Sequence, residues 1–256
     1  MEVPRSVIDG YDNAMKTTIE GIQKELRATL SLLDYSQPID LVRRELVAIM
    51  DAYCGAASSA GARISSEFYN GLRKMATGKS GTLSLQSGRV PEETERAVRA
   101  FLQKLVEEDE EGLEELLMER VEIEAKKAAA YNTIDNVRND PDKPKFARVP
   151  QGEKTCDFCI MLASRGPVYL TEESAGAFTK FHTNCDCKVV PFWGKYGKGG
   201  WKSRGMTVEG YDPDRYFAQY RELMKNPTFV ARMQRASERA YERMKLRTGR
   251  SRRNAS

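Results

Sequence analysis

With 256 residues, 40% of them hydrophobic and 30% charged, the chain can bury a sizeable core and does not have the composition of a disordered polymer. No apolar run approaches the ~20 residues that cross a bilayer, so no membrane partner is expected. The net charge of +4 conceals an asymmetry: residues 1–150 carry 21 basic and 26 acidic side chains, residues 151–256 carry 20 and 11. A chain polarised in this way can meet two different surfaces, one of them polyanionic.

The N-terminus alternates in charge and has no apolar segment of signal-peptide type, so folding in a reducing cytoplasm is expected, where thiols stay available to metal. From Ser6 to Leu33, apolar residues recur at helical spacing: Ile8, Tyr11, Met15, Ile19, Ile22, Leu26, Leu30 and Leu33. Asp34 to Pro38 punctuates the pattern, and Pro38 suits the first turn of a second helix. That helix carries Leu46, Met50, Tyr53, Ala57, Ile64, Phe68, Leu72 and Met75, with a run of small residues, Cys54 to Ala62, in its middle. Small side chains let another helix approach closely, although Gly55 and Gly61 each cost up to ~1 kcal/mol relative to Ala. Cys54 has a packing role there.

Thr77 to Gly88 reads as a mobile Gly/Ser loop. Pro91-Glu92-Glu93 then opens a third helix, with Pro in its first turn and acids at the positive end of its dipole. Its pattern continues to about Val137, with Gly112 as the candidate break, and Glu107 to Glu111 form a solvated acidic face. Asn139 to Pro144, with two prolines, ends the helical region. Beyond it come short extended pieces at 146–149, 168–170 and 188–192, and a basic, aromatic-dotted glycine loop at 194–205. Helix resumes near Asp214 and runs to about Arg247 with an interruption at Asn226-Pro227. The fold class read from this is α+β, mainly α. Long antiparallel helices (1–138) come first, a small metal-stapled domain follows (139–212), and the chain closes with C-terminal helices and a basic tail (213–256).

Four of the five cysteines and the only histidine fall in one short segment: Cys156-x2-Cys159, 22 residues, then His182-x2-Cys185-x-Cys187. A Cys-x2-Cys turn offers two thiolates to one ion, and a pair from a distant segment completes a tetrahedron. Zinc (Zn2+) suits mixed thiolate and imidazole donors in a reducing compartment. Five candidates compete for four positions. Cys156, Cys159, His182 and Cys187 are the preferred set, with Cys185 adjacent, and the choice between Cys185 and Cys187 stays open. Buried thiols clustered by chance, or a thioredoxin-type redox pair, account for less of the pattern. A catalytic ion would need an open position and a nearby base, whereas Asp157 and Asp186 lie inside the ligand turns.

These same residues carry a resemblance. Val149-Pro150-x-Gly152-x-x-Thr155-Cys156-x-x-Cys159, Leu162-Ala163-Ser164-Arg165-Gly166, Tyr169 and His182-x-Asn184-Cys185-x-Cys187 together resemble the Mu F-like minor head proteins of tailed bacteriophages, also called head morphogenesis or minor capsid proteins. The motif covers about 40 residues; elsewhere the likeness is one of texture. The resemblance implies a low-copy virion component that acts at the portal vertex during procapsid assembly. Its partners would be the portal protein and scaffold or major capsid protein, and its setting the virion head and the host cytoplasm during assembly. It carries Cys156, Cys159, His182, Cys185 and Cys187 over as metal ligands, with Arg165 and Asn184 orienting the loop around them. Some relatives are labelled maturation proteases. Here a Ser/His pair would have to use His182, which the metal claims, so no enzyme is expected.

Arg232, Arg235, Arg239, Arg243, Lys245 and Arg247 recur at helical steps, followed by Arg250, Arg252 and Arg253. Such a stripe can make salt-sensitive phosphate contacts with DNA, dock on an acidic protein face, or simply be the wet side of an amphipathic helix. Trp193, Tyr196 and Trp201 can stack on bases or pack on the small domain, with packing preferred. Three functions therefore compete: a structural head protein, a free zinc-dependent nucleic-acid-binding protein, and a protease or nuclease.

Overall fold

The computed structural model describes the chain except residues 82, 153–154, 171–186, 198–199, 236–237 and 239–256, and the side chains of 195–197 and 200–204. A short strand β1 (Glu2–Val3) precedes helix α1 (Arg5–Leu30), which buries Ile8, Tyr11, Met15, Ile19, Leu26 and Leu30. The helix stops at Leu30 rather than Leu33. Just beyond it, the Asp34 carboxylate takes the Ser36 amide at 2.9 Å and the Ser36 hydroxyl at 2.6 Å, a local turn that competes with the helix. Helix α2 (Ile39–Thr77) is 39 residues long, ~58 Å at 1.5 Å per residue, and closes on Gly78 in the left-handed conformation (φ 73°).

The third predicted helix is three. α3 (Pro91–Phe101) and the short α4 (Gln103–Val106) precede α5 (Glu110–Asn139). The break falls before Gly112 because Asp109 caps α5, its carboxylate accepting from the Gly112 amide at 2.9 Å. A Cβ on Gly112 would lie 2.2 Å from that carboxylate, so glycine leaves room for the cap.

α2 packs chiefly on α5. At the small-residue run the backbones nearly touch: a Cβ on Gly61 would sit 2.3 Å from the Ala125 carbonyl oxygen. One turn on, the Ser65 hydroxyl lies 2.8 Å from the Ala129 carbonyl and 2.7 Å from the Thr133 hydroxyl. These pairs advance together along both helices, so α5 runs parallel to α2. α1 opposes both, with Thr29 on Tyr53, Tyr11 stacked on Phe68, and Gln23 on the Met118 carbonyl. The expectation of antiparallel helices throughout therefore holds for α1 alone, because the chain returns along the bundle through residues 79–81 and 83–90 before α5 begins. That return is not a free loop. Asn132 and Asn136 hold the Ser84 carbonyl at 2.8 and 3.2 Å, the Asn136 side chain accepts the Ser84 amide at 2.9 Å, and Ser66 adds a bond at 2.9 Å.

Where α2 and α5 end together, Arg73 donates to Asp140 at 2.9 Å and to Asp142 at 2.6 Å, and the Tyr69 hydroxyl donates to Asp140 at 2.8 Å. Burial pushes the Asp140 carboxyl up, but the bonds from Arg73, the Asp142 amide and Tyr69 outweigh it and hold it below its ordinary value. Past this junction come β2 (Lys145–Val149), helix α6 (Asp157–Ala163), β3 (Lys188–Phe192), the strands β4 (Gly194–Gly197) and β5 (Gly200–Gly205), β6 (Thr207–Val208) and α7 (Pro213–Leu223), with more helix over 227–235. The strands form three pairs: β2 with β3 and β4 with β5, both antiparallel, and β1 with β6 in parallel. One hydrophobic core runs from Val3 through the long helices to β2, α6, β3 and Tyr211. The residues on either side of Asn139–Pro144 share it.

Gly61→Ala should lower stability by ~1–3 kcal/mol through overpacking against Ala125 despite its better helix propensity, whereas Gly21→Ala, where a Cβ meets nothing within 4 Å, should stabilise by up to ~1 kcal/mol. Denaturant midpoints at an unchanged slope measure both. Asp140→Asn should cost ~3 kcal/mol at neutral pH by leaving a buried guanidinium short of its partner. Because the folded carboxyl lies below the ordinary 3.8, the unfolded chain takes up the proton first. The carboxylate's contribution is therefore present above that value and fades as pH falls through the folded one, so the gap between wild type and variant should narrow only in that acid range.

Candidate metal centre

β2 reads Lys145-Phe146-Ala147-Arg148-Val149, and it pairs with β3 so that Arg148 faces Val189 and Val149 faces Lys188. Side chains alternate along a strand, so Arg148 and Val189 share a face, and Cys187, two residues before Val189, shares it too. The diagonal from Arg148 to Cys187 is short enough for a long side chain to span. Phe146 binds the backbone of Tyr169 in both directions, at 2.9 and 3.2 Å, which adds a third extended piece beside β2.

α6 starts directly after Cys156 and packs on β2 with Cys159 buried. Two tyrosines fix its far end. The Tyr169 hydroxyl donates to the Leu162 carbonyl at 3.0 Å and the Tyr211 hydroxyl to the Ala163 carbonyl at 2.8 Å. Burial pushes the Tyr169 hydroxyl up to about 12, so it stays a donor. The small region is also tied to the bundle. Arg5 donates to the Pro150 and Gln151 carbonyls at 3.0 and 3.3 Å, Lys188 pairs with Asp12 of α1, and Trp193 packs edge-on to Tyr69 with centroids 5.3 Å apart.

In this frame the Cys159 and Cys187 sulfurs, from segments 28 residues apart, come within 2.6 Å of each other. Arg148, only 3% exposed, lies against both. Its Nε is 3.1 Å from the Cys187 sulfur, and its Nη2 contacts Cys187 and lies 3.7 Å from Cys159. The donors fit zinc in kind: buried sulfurs from two separated stretches, with a cation beside them that favours thiolate over thiol. Their spacing is tighter than a shared ion needs: zinc–sulfur bonds of ~2.3 Å in a tetrahedron set the sulfurs ~3.8 Å apart, about 1 Å wider than the 2.6 Å here, so they must part when an ion binds. Cys156 is half-buried at the start of α6, and among the described residues no three His, Cys, Asp or Glu side chains converge as a metal site. His182, Cys185 and Asn184 lie outside the described residues.

Arg165 is exposed in the turn that ends α6, its amide 3.3 Å from the Leu162 carbonyl. Arg148, at the sulfurs themselves, escaped the sequence reading. Its signal was an arginine in phase with the buried positions of an apolar strand. Cys54 sits in the α2 seam, where burial, helped by the Glu124 charge, pushes its thiol up to about 11, as suits a packing residue. Of the basic stripe, Arg232 pairs with Asp157 of α6 and lies 5.7 Å over the Phe229 ring, and Arg235 is exposed. Arg239, Arg243, Lys245, Arg247, Arg250, Arg252 and Arg253 lie outside the described residues, as do the side chains of Tyr196 and Trp201. Trp193 is buried, as packing requires.

Comparison with known proteins adds the context. The chain is 39% identical to the Gene 15 protein of Mycobacterium phage D29 over 33% of its own length and 30% of the relative's. It is 32% identical to the Gene 15 protein of Mycobacterium phage L5 over 27% of its own length and 36% of the relative's. These matches span about a third of each relative. No solved structure matches. The VG15 protein family model matches residues 2–223, which takes in the helical bundle, β2, α6 and β3 alike. The chain belongs to the VG15 family, a family of phage proteins.

Proposed function

We propose that this chain is a non-catalytic structural protein of a tailed-phage head, acting in head morphogenesis at the portal vertex, with its small region held together by one zinc ion. The observation that carries the metal reading is the convergence of Cys159 and Cys187 beside the Arg148 guanidinium. His182 and Cys156, with Cys185 as the competitor of Cys187, are the remaining candidate donors, and zinc would supply cross-linking without chemistry. Membership of a phage family supports the viral setting, and the motif's resemblance to minor head proteins supports the finer role. The partners in this reading are the portal protein and scaffold or major capsid protein, met in the host cytoplasm and retained in the virion.

The basic stripe supports DNA as a further anionic partner. The Arg232–Asp157 pair favours a second use for at least its first member, holding the C-terminal helix on α6.

Two measurements test the proposal. Elemental analysis of the chain purified under reducing conditions should find one zinc per molecule, lost in Cys159→Ser and Cys187→Ser but retained in Cys54→Ser. A metal-free protein under those conditions would overturn the metal centre. In infected cells, tagged chain should sediment with procapsids and stay in virions, and its absence from both particles would sink the structural role.

A further inference from the structure

We propose that Arg148 is the positioning residue of the thiolate centre, a buried cation that orients the Cys159 and Cys187 sulfurs toward a shared ion and offsets the charge of the occupied site. The inference rests on the metal centre proposed above and goes beyond it by naming a residue outside the cysteine–histidine motif. Three observations carry it. Arg148 is 3% exposed, and a guanidinium keeps its proton in proteins, so it brings a full charge into the core. Its planar fork reaches two sulfurs that belong to different segments, Cys187 from Nε at 3.1 Å and from Nη2, and Cys159 from Nη2 at 3.7 Å. Its place is also set by the backbone, because the β2–β3 register puts it opposite Val189 and on the face of Cys187.

The charge balance gives the arrangement a purpose. Zinc held by the preferred donors, Cys156, Cys159, Cys187 and His182, would carry one net negative charge, which is costly in a buried site. A single guanidinium beside the sulfurs cancels it. N–H···S bonds also fix where each sulfur's lone pairs point, which is how groups outside the ligand set orient ligands and raise affinity. Lysine keeps the charge but lacks a planar fork that can address two sulfurs at once.

The test uses the full chain with zinc competed against a chromogenic chelator, and Co2+ substitution to read the thiolate-to-metal charge-transfer band. Arg148→Met should weaken zinc binding ~10–100-fold and shift the cobalt band, while Arg148→Lys should fall between it and wild type. Circular dichroism of the metal-loaded variants separates lost affinity from lost fold. If the methionine variant does not fold, the lysine variant decides, and there unchanged zinc affinity with an unshifted band would overturn the assignment. So would wild-type affinity in a folded methionine variant. A wild-type chain that takes up no zinc would remove the metal centre and this role together, whereas zinc uptake indifferent to Arg148 would remove this role alone.

Discussion

The close approach of α2 and α5 at Gly61 and Ala125 sets the geometry on which the rest of the molecule is built. Backbones brought this near leave little freedom to slide, and Ser65, Ala129 and Thr133 then lock the register with buried hydrogen bonds. Because the two helices run parallel, they end together, and the Arg73–Asp140–Tyr69 cluster forms at that shared end. The chain therefore leaves α5 at the end where α1 begins. β2 is placed there, within reach of Arg5 and Asp12 of α1 and beside Trp193 and Tyr69.

That location accounts for how a region of short strands stays ordered. Two-stranded pairs are marginal alone, and β1–β6 and β2–β3 are backed by something larger. β1 ties the start of the chain to β6, and α6 is held by β2 on one side and by the Tyr169 and Tyr211 hydroxyls at its end. The Cys159–Cys187 contact closes the same frame from inside. A metal at this point would cross-link α6 to β3 and, through Lys188 and Asp12, to the bundle.

The arginines divide by environment. Arg73 and Arg148 are buried and matched to acceptors, the first to carboxylates and the second to sulfur. Arg232 is exposed and pairs with Asp157, a contact worth little energy in water but enough to bias where the C-terminal helix lies. Charge density along the sequence does not distinguish these cases. Desolvation does, since only the buried guanidiniums must have partners.

Local chemistry alone determined much of this protein. The spacing of Ile8 to Leu30 and of Leu46 to Leu72 dictated two amphipathic helices, the small run around Gly61 dictated a close helix contact, and Pro141 and Pro144 dictated the end of α5. The Cys-x2-Cys and Cys187 spacing marked candidate donors, but that Cys159 adjoins Cys187 is a tertiary outcome. Tertiary structure decided what depends on through-space partners: the parallel sense of α5, the pinning of residues 83–90 by Asn132 and Asn136, the break moved to the Asp109 cap, and Arg148 against the sulfurs. Periodicity reports which face of an element is apolar. It carries no information on which neighbour that face meets, or on which buried charge will find its counterpart across a sheet.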